Sequence, residues 1–511
     1  MHLFDPGKFF RKQSESKPQV QRQQPMANVV RARYDAAQTT AENARHWAMA
    51  DAMSADCAAS ADIRKKLRER ARYEVANNSY AKGIVLTMAN DCIGTGPRLQ
   101  LLTSNDNLNR QIEDAFAQWS KAVSLASKLR TMRMAKSTDG EAFGVLSFNP
   151  SIDSPVAMDL QLIEADRITS PSTVMLPTRN DVDGVILDSF GNPQFYSILR
   201  QHPGGLGNYS TWMSQYDEVP ASSVIHWYRA DRPEQHRGIP EITPALPLFA
   251  QLRRYTLAVI AAAETAADFA AVLYTDSPAN GEAQALDPMD IVSLEKRMAT
   301  VLPDGWRLGQ IDSQQPTTTY AEFKREILNE IARCLNLPYN IAACNSSGYN
   351  YASGRLDHQT YYKSIRVEQM HLAEIVLDQI FSAWIREAML TPELSILRTV
   401  RSMPTLSGRP MPLVRGWFFD GTEHVDPAKE ANAQAKRLGS HTTTLAAEYA
   451  RQGKDWETEL RQRAKETRLM QTLGLTVSES QPATPSSSSS SSSTQEPSAN
   501  ADDTVANPTT A

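Results

Sequence analysis

From Ala61 the apolar positions Ile63, Leu67, Ala71 and Val75 recur four apart, the spacing of one helical face, with Arg64, Arg68 and Arg72 in a row beside them. The arginine row reads as a solvated or subunit-facing surface, in preference to a nucleic-acid contact. A second helix is expected after Asn78, a residue suited to an N-cap, and it should stop before Gly94, Gly96 and Pro97. Between Gly140 and Val224 the period shortens to that of strands. Ala142 to Phe148, Asp159 to Ile163, Val185 to Leu187 and Gln194 to Leu199 are separated by Gly, Pro, Asn and Asp turns.

Helical periodicity returns at Thr243, with Pro244 where a first turn tolerates it, and runs to about Tyr274. An irregular stretch, Thr275 to Thr319, precedes another helix over Tyr320 to Asn336, which Pro338 should end. The longest helix is expected from Ser353 to Leu390, where Tyr361, Ile365, Leu372, Val376, Ile380 and Trp384 recur at intervals of four or seven or close to them, before Pro392. At about 1.5 Å per residue it would run on the order of 55 Å, which suits an elongated or oligomeric architecture. A smaller helical unit follows between Asp426 and Thr472, entered through Asp426-Pro427. The pattern as a whole is that of an α+β protein, predominantly helical.

Composition sets the bounds of that picture. A chain of 511 residues, 41% hydrophobic and 22% charged, has the balance of a folded protein of several units. The ends differ from the middle. Residues 1–33 hold seven basic residues against two acidic ones and read as a flexible basic arm. No aromatic residue follows Trp456, and Ser486 to Ser493 is an unbroken serine run, so residues 476–511 read as a disordered tail. The net charge of −5 argues against a protein that holds DNA through many phosphate contacts. Leu257 to Tyr274 is Ala-rich, but Glu264 and Asp268 make a membrane span a poor reading and a packed helix a better one. Met1 to Val30 has no continuous apolar run of the kind a secretory signal needs.

Candidate chemistry is sparse. The four cysteines, Cys57, Cys92, Cys334 and Cys344, have no Cys-x-x-Cys spacing and read as reduced thiols. The nearest approach to a phosphate-binding loop is Gly348 to Gly354, one residue too long and followed by Arg355 where a lysine is required. No Gly-x-Ser-x-Gly or His-Glu-x-x-His occurs, and His371 with Glu374 reads as a surface pair. Glu164 and Asp166 are the best metal candidates, with Asp139 or Glu141 as further ligands. Two hard carboxylates could hold Mg²⁺ for phosphodiester cleavage, which makes a metal-dependent nuclease or other enzyme the alternative reading. An ion pair with the adjacent Arg167, or turn hydrogen bonds at the strand end, is the simpler expectation for both acids, and no cofactor is expected.

Several separated strings resemble one family. They are Leu160-Gln-Leu-Ile-Glu-Ala-Asp166, Gly184-Val-Ile-Leu-Asp188 with Gly191-Asn-Pro193, Val224-Ile-His226, and Arg232-Pro233 followed by Gln235-His-Arg-Gly-Ile-Pro240. Downstream stand Leu337-Pro338, Asn350-Tyr-Ala-Ser-Gly-Arg355, and Val425-Asp-Pro427 with Lys429-Glu430. Their order over Arg31 to Arg468 is similar to that of the lambda-type portal proteins of tailed bacteriophages. His236 stands where the family more often has an aliphatic residue, and Asn345 where an Asp is common.

The resemblance implies a non-enzymatic subunit of a dodecameric ring at the capsid vertex, through which double-stranded DNA is packaged and ejected. It implies a wing over 34–242, a stem helix over 243–274, a clip over 275–319 and a second stem helix over 320–336. A tunnel loop over 337–353, a long wing helix and connection over 354–425 and a crown over 426–475 complete the map. Partners implied are the terminase large subunit, the major capsid or scaffold protein and head-tail connector proteins, with no membrane. The place implied is the virion, with host cytoplasm during assembly. Asn345, Ser346, Ser347, Tyr349, Asn350, Tyr351 and Ser353 are the residues expected to face DNA in the tunnel loop.

Overall fold

A computed structural model of the chain describes residues 37, 39–170, 180–205, 215–268, 272–275, 306–309, 319–397, 405–406, 409–410, 413–421 and 427–475. The expected basic arm, most of the expected clip and the serine-rich tail lie outside the described residues.

Helix α1 (Ala61–Asn77) and helix α2 (Ser79–Ile93) meet at Asn78, whose side chain accepts from the backbone N–H of Tyr80 at 3.0 Å and so caps α2. Strand β1 (Arg98–Leu101) leads to α3 (Asp106–Ala122) and α4 (Leu125–Asp139). Neither helix figures among the elements expected from the sequence, although Leu108, Ile112, Phe116 and Trp119 give α3 a helical apolar stripe, all four buried. The chain then turns at Gly140, φ +90°, into β2 (Glu141–Phe148). With β3 (Met158–Ile163) and β8 (Val224–Tyr228), β2 forms an antiparallel sheet in the order β3-β2-β8. A four-stranded antiparallel meander, β4 (Asn180–Val182), β5 (Val185–Leu187), β6 (Pro193–Leu199) and β7 (Tyr216–Pro220), stands beside it.

Helix α5 (Leu246–Asp268) follows a short helical turn, Thr243–Ala245, and is shorter than expected. Tyr274 belongs to β9 (Val272–Thr275), which pairs with β10 (Trp306–Gly309). Helix α6 (Thr319–Arg333) also ends early: Asn336 takes a left-handed φ of +55°, and Pro338 caps a one-turn helix, Tyr339–Ala342. The long helix is α7 (Tyr351–Leu372), a five-residue π turn (Ala373–Leu377) and α8 (Asp378–Ala388) without a break. After it, β11 (Arg415–Phe418) pairs with β1, across more than 300 residues of chain. Three helices, α9 (Pro427–Gly439), α10 (Leu445–Arg451) and α11 (Trp456–Thr472), occupy the end of the described chain.

Three apolar clusters hold these elements. The largest packs α3, α4, β2, β3 and β8 against α8, with Phe116 edge-on to Trp384 at 5.2 Å and Trp119 donating its Nε1–H to the Met158 carbonyl at 2.8 Å. The second joins α2, α5, α6 and the first half of the long helix through Phe249, Leu328, Ile331, Tyr361 and Ile365. The third lies between the meander and β2, around Phe143, Val185, Tyr196 and Ile198. The long helix thus enters one core before its π turn and another after it.

Candidate functional site

Two arginines of the α1 row, Arg64 and Arg68, are neither solvated nor subunit-facing, and Arg72 is half-buried. Arg64 and Arg68 are buried while the apolar Ile63 beside them is exposed, so the helix lies with its charged row inward. Four guanidinium groups, on Arg64, Arg68, Arg72 and Arg237, meet four carboxylates, on Asp139, Glu141, Asp166 and Asp183. Arg72 grips Asp139 with Nε and Nη2 at 2.7 and 2.9 Å and reaches Asp166 at 2.7 Å. Arg68 donates to the other Asp166 oxygen at 3.2 Å, and Arg64 pairs with Asp183. Matched charge is what makes such burial tolerable, since each ion left alone would carry a desolvation cost of several kcal/mol.

Glu141 is the centre of this network. Arg237 reaches its two oxygens at 2.6 and 2.9 Å, the Gly238 N–H donates to it at 3.0 Å, and His226 Nε2 lies 3.1 Å away. Burial alone would push its carboxyl up; Arg237 and His226 outweigh that and hold it well below the ordinary range. The same contest holds Asp166 down, with Arg68 and Arg72 overcoming burial. In His226 burial wins, lowering the imidazole more than Glu141 raises it.

Glu164, Asp166 and His202 are the group of donors close enough together to resemble a metal site among the described residues, all within 4.8 Å of one another. Their hydrogen bonds argue for another role. The Gly204 N–H donates to His202 Nδ1 at 3.0 Å, and Nε2 lies 2.8 Å from Glu164 and 3.8 Å from Asp166. Asp166 already has its charge matched by Arg68 and Arg72, so the cluster is part of the ion-pair network. Asp139 and Glu141, the further ligands expected, are committed to Arg72 and Arg237. Arg167, expected to pair with the acids, instead donates to the carbonyls of Leu199 and Arg200 at 2.8 and 3.0 Å.

A second buried network was not expected. Lys136 on α4, fully buried, pairs with Glu368 on α7, and Arg133 donates to Glu241 at 2.9 Å. Arg133 and Lys136, with Leu129 and Met132, stand on the inward face of α4 at helical spacing, a signal that charge alone conceals.

The segment expected to face DNA lies between the one-turn helix and α7. Asn345, Ser346, Ser347 and Asn350 are exposed, and Tyr349 is half-buried. The Asn345 side chain accepts from the N–H and hydroxyl of Ser347 at 2.9 and 2.6 Å, which closes a local turn before Gly348. Asn350 caps α7 by accepting from the Ser353 N–H at 2.8 Å, so Tyr351 and Ser353 begin that helix and do not belong to the loop. Helices α5 and α6 pack on each other, with Tyr255 against Phe323 at 4.8 Å. No helix among the described residues is long and apolar enough to cross a membrane.

Residues 41–369 match the family model described as phage portal protein, lambda family. A probable portal protein of Halomonas phage phiHAP-1 is 25% identical over 435 residues, covering 80% of this chain and 81% of that protein. Among solved structures, a chain in the virion of a native gene transfer agent particle has a TM-score of 0.44 at 13% identity, covering 76% of this chain and 93% of its own. One in the neck of the native particle, computed with C12 symmetry, has a TM-score of 0.45 at 12% identity with the same coverage.

Proposed function

Because the chain belongs to the lambda family of phage portal proteins, we propose that it is the subunit of a dodecameric ring through which double-stranded DNA enters and leaves a capsid. The observation that carries this reading is the unbroken family match over 41–369, which takes in α1 to α6, the loop at Asn345 and most of α7. In this reading α5 and α6 are the stem, the segment between them is the clip, and the Asn345 loop lines the channel. The two sheets and the long helix form the wing, and α9 to α11 the crown.

Such a subunit contributes geometry and no chemistry. A conduit must let DNA slide, and each phosphate neutralised by Lys or Arg adds salt-dependent affinity that acts as drag. The exposed part of the loop offers Asn and Ser, which hydrogen-bond phosphates without that term, and the chain carries a net charge of −5. The energy for movement then comes from a separate terminase ATPase docked on the ring, with capsid or scaffold and connector proteins as further neighbours. The place of action is the portal vertex of the virion, after assembly in the host cytoplasm.

Negative-stain images of the purified full chain test this directly. Rings with rotational symmetry and a central channel, without ATP hydrolysis or metal-dependent DNA cleavage, are expected. A monomer that cleaves DNA with Mg²⁺ and loses that activity in Glu164→Ala would overturn it.

A further inference from the structure

None of the side chains described in the segment 343–360 is buried, whereas the chain on both sides of it is held in one core. Ala342 before the segment and Tyr361 and Ile365 after it belong to the same apolar cluster. Two glycines loosen the stretch between these roots. Gly348 turns at φ +87°, and Gly354 stands in the first turn of α7 with open space where a Cβ would be. Glycine weakens a helix relative to alanine, so these first turns rely on the Asn350 cap.

Tyr361 is where the helix becomes part of the body. Its ring is 1% exposed, and its hydroxyl donates to Asp91 Oδ2 on α2 at 2.7 Å. Burial, reinforced by that carboxylate, raises the phenol far above its ordinary value, so the hydroxyl remains a donor. Two turns on, Gln369 donates to the Cys92 carbonyl at 3.2 Å and Glu368 pairs with Lys136.

We propose that the Asp91–Tyr361 hydrogen bond is the pivot of a movable tab, residues 343–360, and that these two side chains are positioning residues for the loop at Asn345. The tab is bounded on both sides, because its roots are fixed in one core and the first buried anchor of α7 is Tyr361. What the tab faces rests on the portal reading; the pivot is a property of the single chain.

Hydrogen exchange on the assembled full chain, read by mass spectrometry, tests the pivot. Amides of 343–360 are expected to exchange much faster than those of 362–372, with the step at Tyr361. Tyr361→Phe removes only the hydroxyl and should speed exchange in the tab and the turn after it by about tenfold while α3 is unchanged. Asp91→Asn should do the same, and the double variant no more than either single one, as one shared bond requires. Cys344, an exposed thiol at the root of the tab, can carry a nitroxide in a Cys57→Ser background. Its spectrum should sharpen in Tyr361→Phe. Uniform protection from 343 to 372, unchanged spectra in the variants, or equal loss of protection in α3 would each overturn the pivot. Absence of rings with the step intact would remove the portal reading and leave the pivot standing, and rings with uniform protection would do the reverse.

Discussion

Gly238 and Gly140 are in backbone contact: a Cβ on Gly238 would overlap the Gly140 carbonyl oxygen, and one on Gly140 would overlap the carbonyl carbon of Ile239. The approach brings the Gly238 N–H onto Glu141 and sets Arg237 over the same carboxylate. Gly238→Ala should therefore destabilise the protein by about 2–4 kcal/mol, an overpacking cost plus a displaced hydrogen bond. The shift in urea midpoint at unchanged slope is the measure.

Arg237→Met leaves Glu141 buried with fewer partners and should cost about 3–5 kcal/mol. Pairing it with Glu141→Gln should recover part of the loss, because the uncompensated charge is gone. A double variant as unstable as the sum of the two singles would show that the pair is not the source of the cost.

Acid should unfold the protein through its buried carboxylates. Burial opposes the charge on Glu241, but Arg133 and Lys136 hold it at about 2, below its ordinary value of 4.5. A depressed carboxyl stabilises fully above the unfolded value and loses that contribution as pH falls through the folded one. Stability should fall between about pH 4.5 and 2, and Glu241→Gln, weaker at neutral pH, should show a shallower fall over that window.

Glu113 has the opposite sign. Burial raises it to about 7, although its carboxylate accepts the Leu101 N–H at 2.6 Å. A raised carboxyl makes stability fall as pH rises from about 4.5 towards 7. Glu113→Gln keeps the acceptor and removes the charge, so it should be more stable than wild type at pH 8, by on the order of 1 kcal/mol after solvent screening. The two melting temperatures should converge below pH 4.5.

Lysine at Asn345, Ser346 and Ser347 should leave ring assembly intact, since all three are exposed, yet slow packaging into proheads most strongly at low salt. Packaging equal to wild type at every salt concentration would count against the proposal that this loop lines a channel.

Local pattern and local chemistry were legible along the chain. The Asn78 cap, the strand Val185–Leu187 with its turn at Gly191, and the long helix before Pro392 follow from neighbouring residues, because capping, turns and periodicity act over a few positions. The order of short strings was enough to indicate the family. Direction was not legible. Arg64 and Arg68 face inward because Asp183, Glu141 and Asp166 wait there, and those partners lie about 70 to 120 residues away. Lys136 is buried for the same reason, its partner Glu368 being on another helix. Periodicity ranks a face by its own residues, and a charged face ranks as solvent. Only the fold brings the opposite charges to it, and their pairing in a dry interior is what turns the face inward.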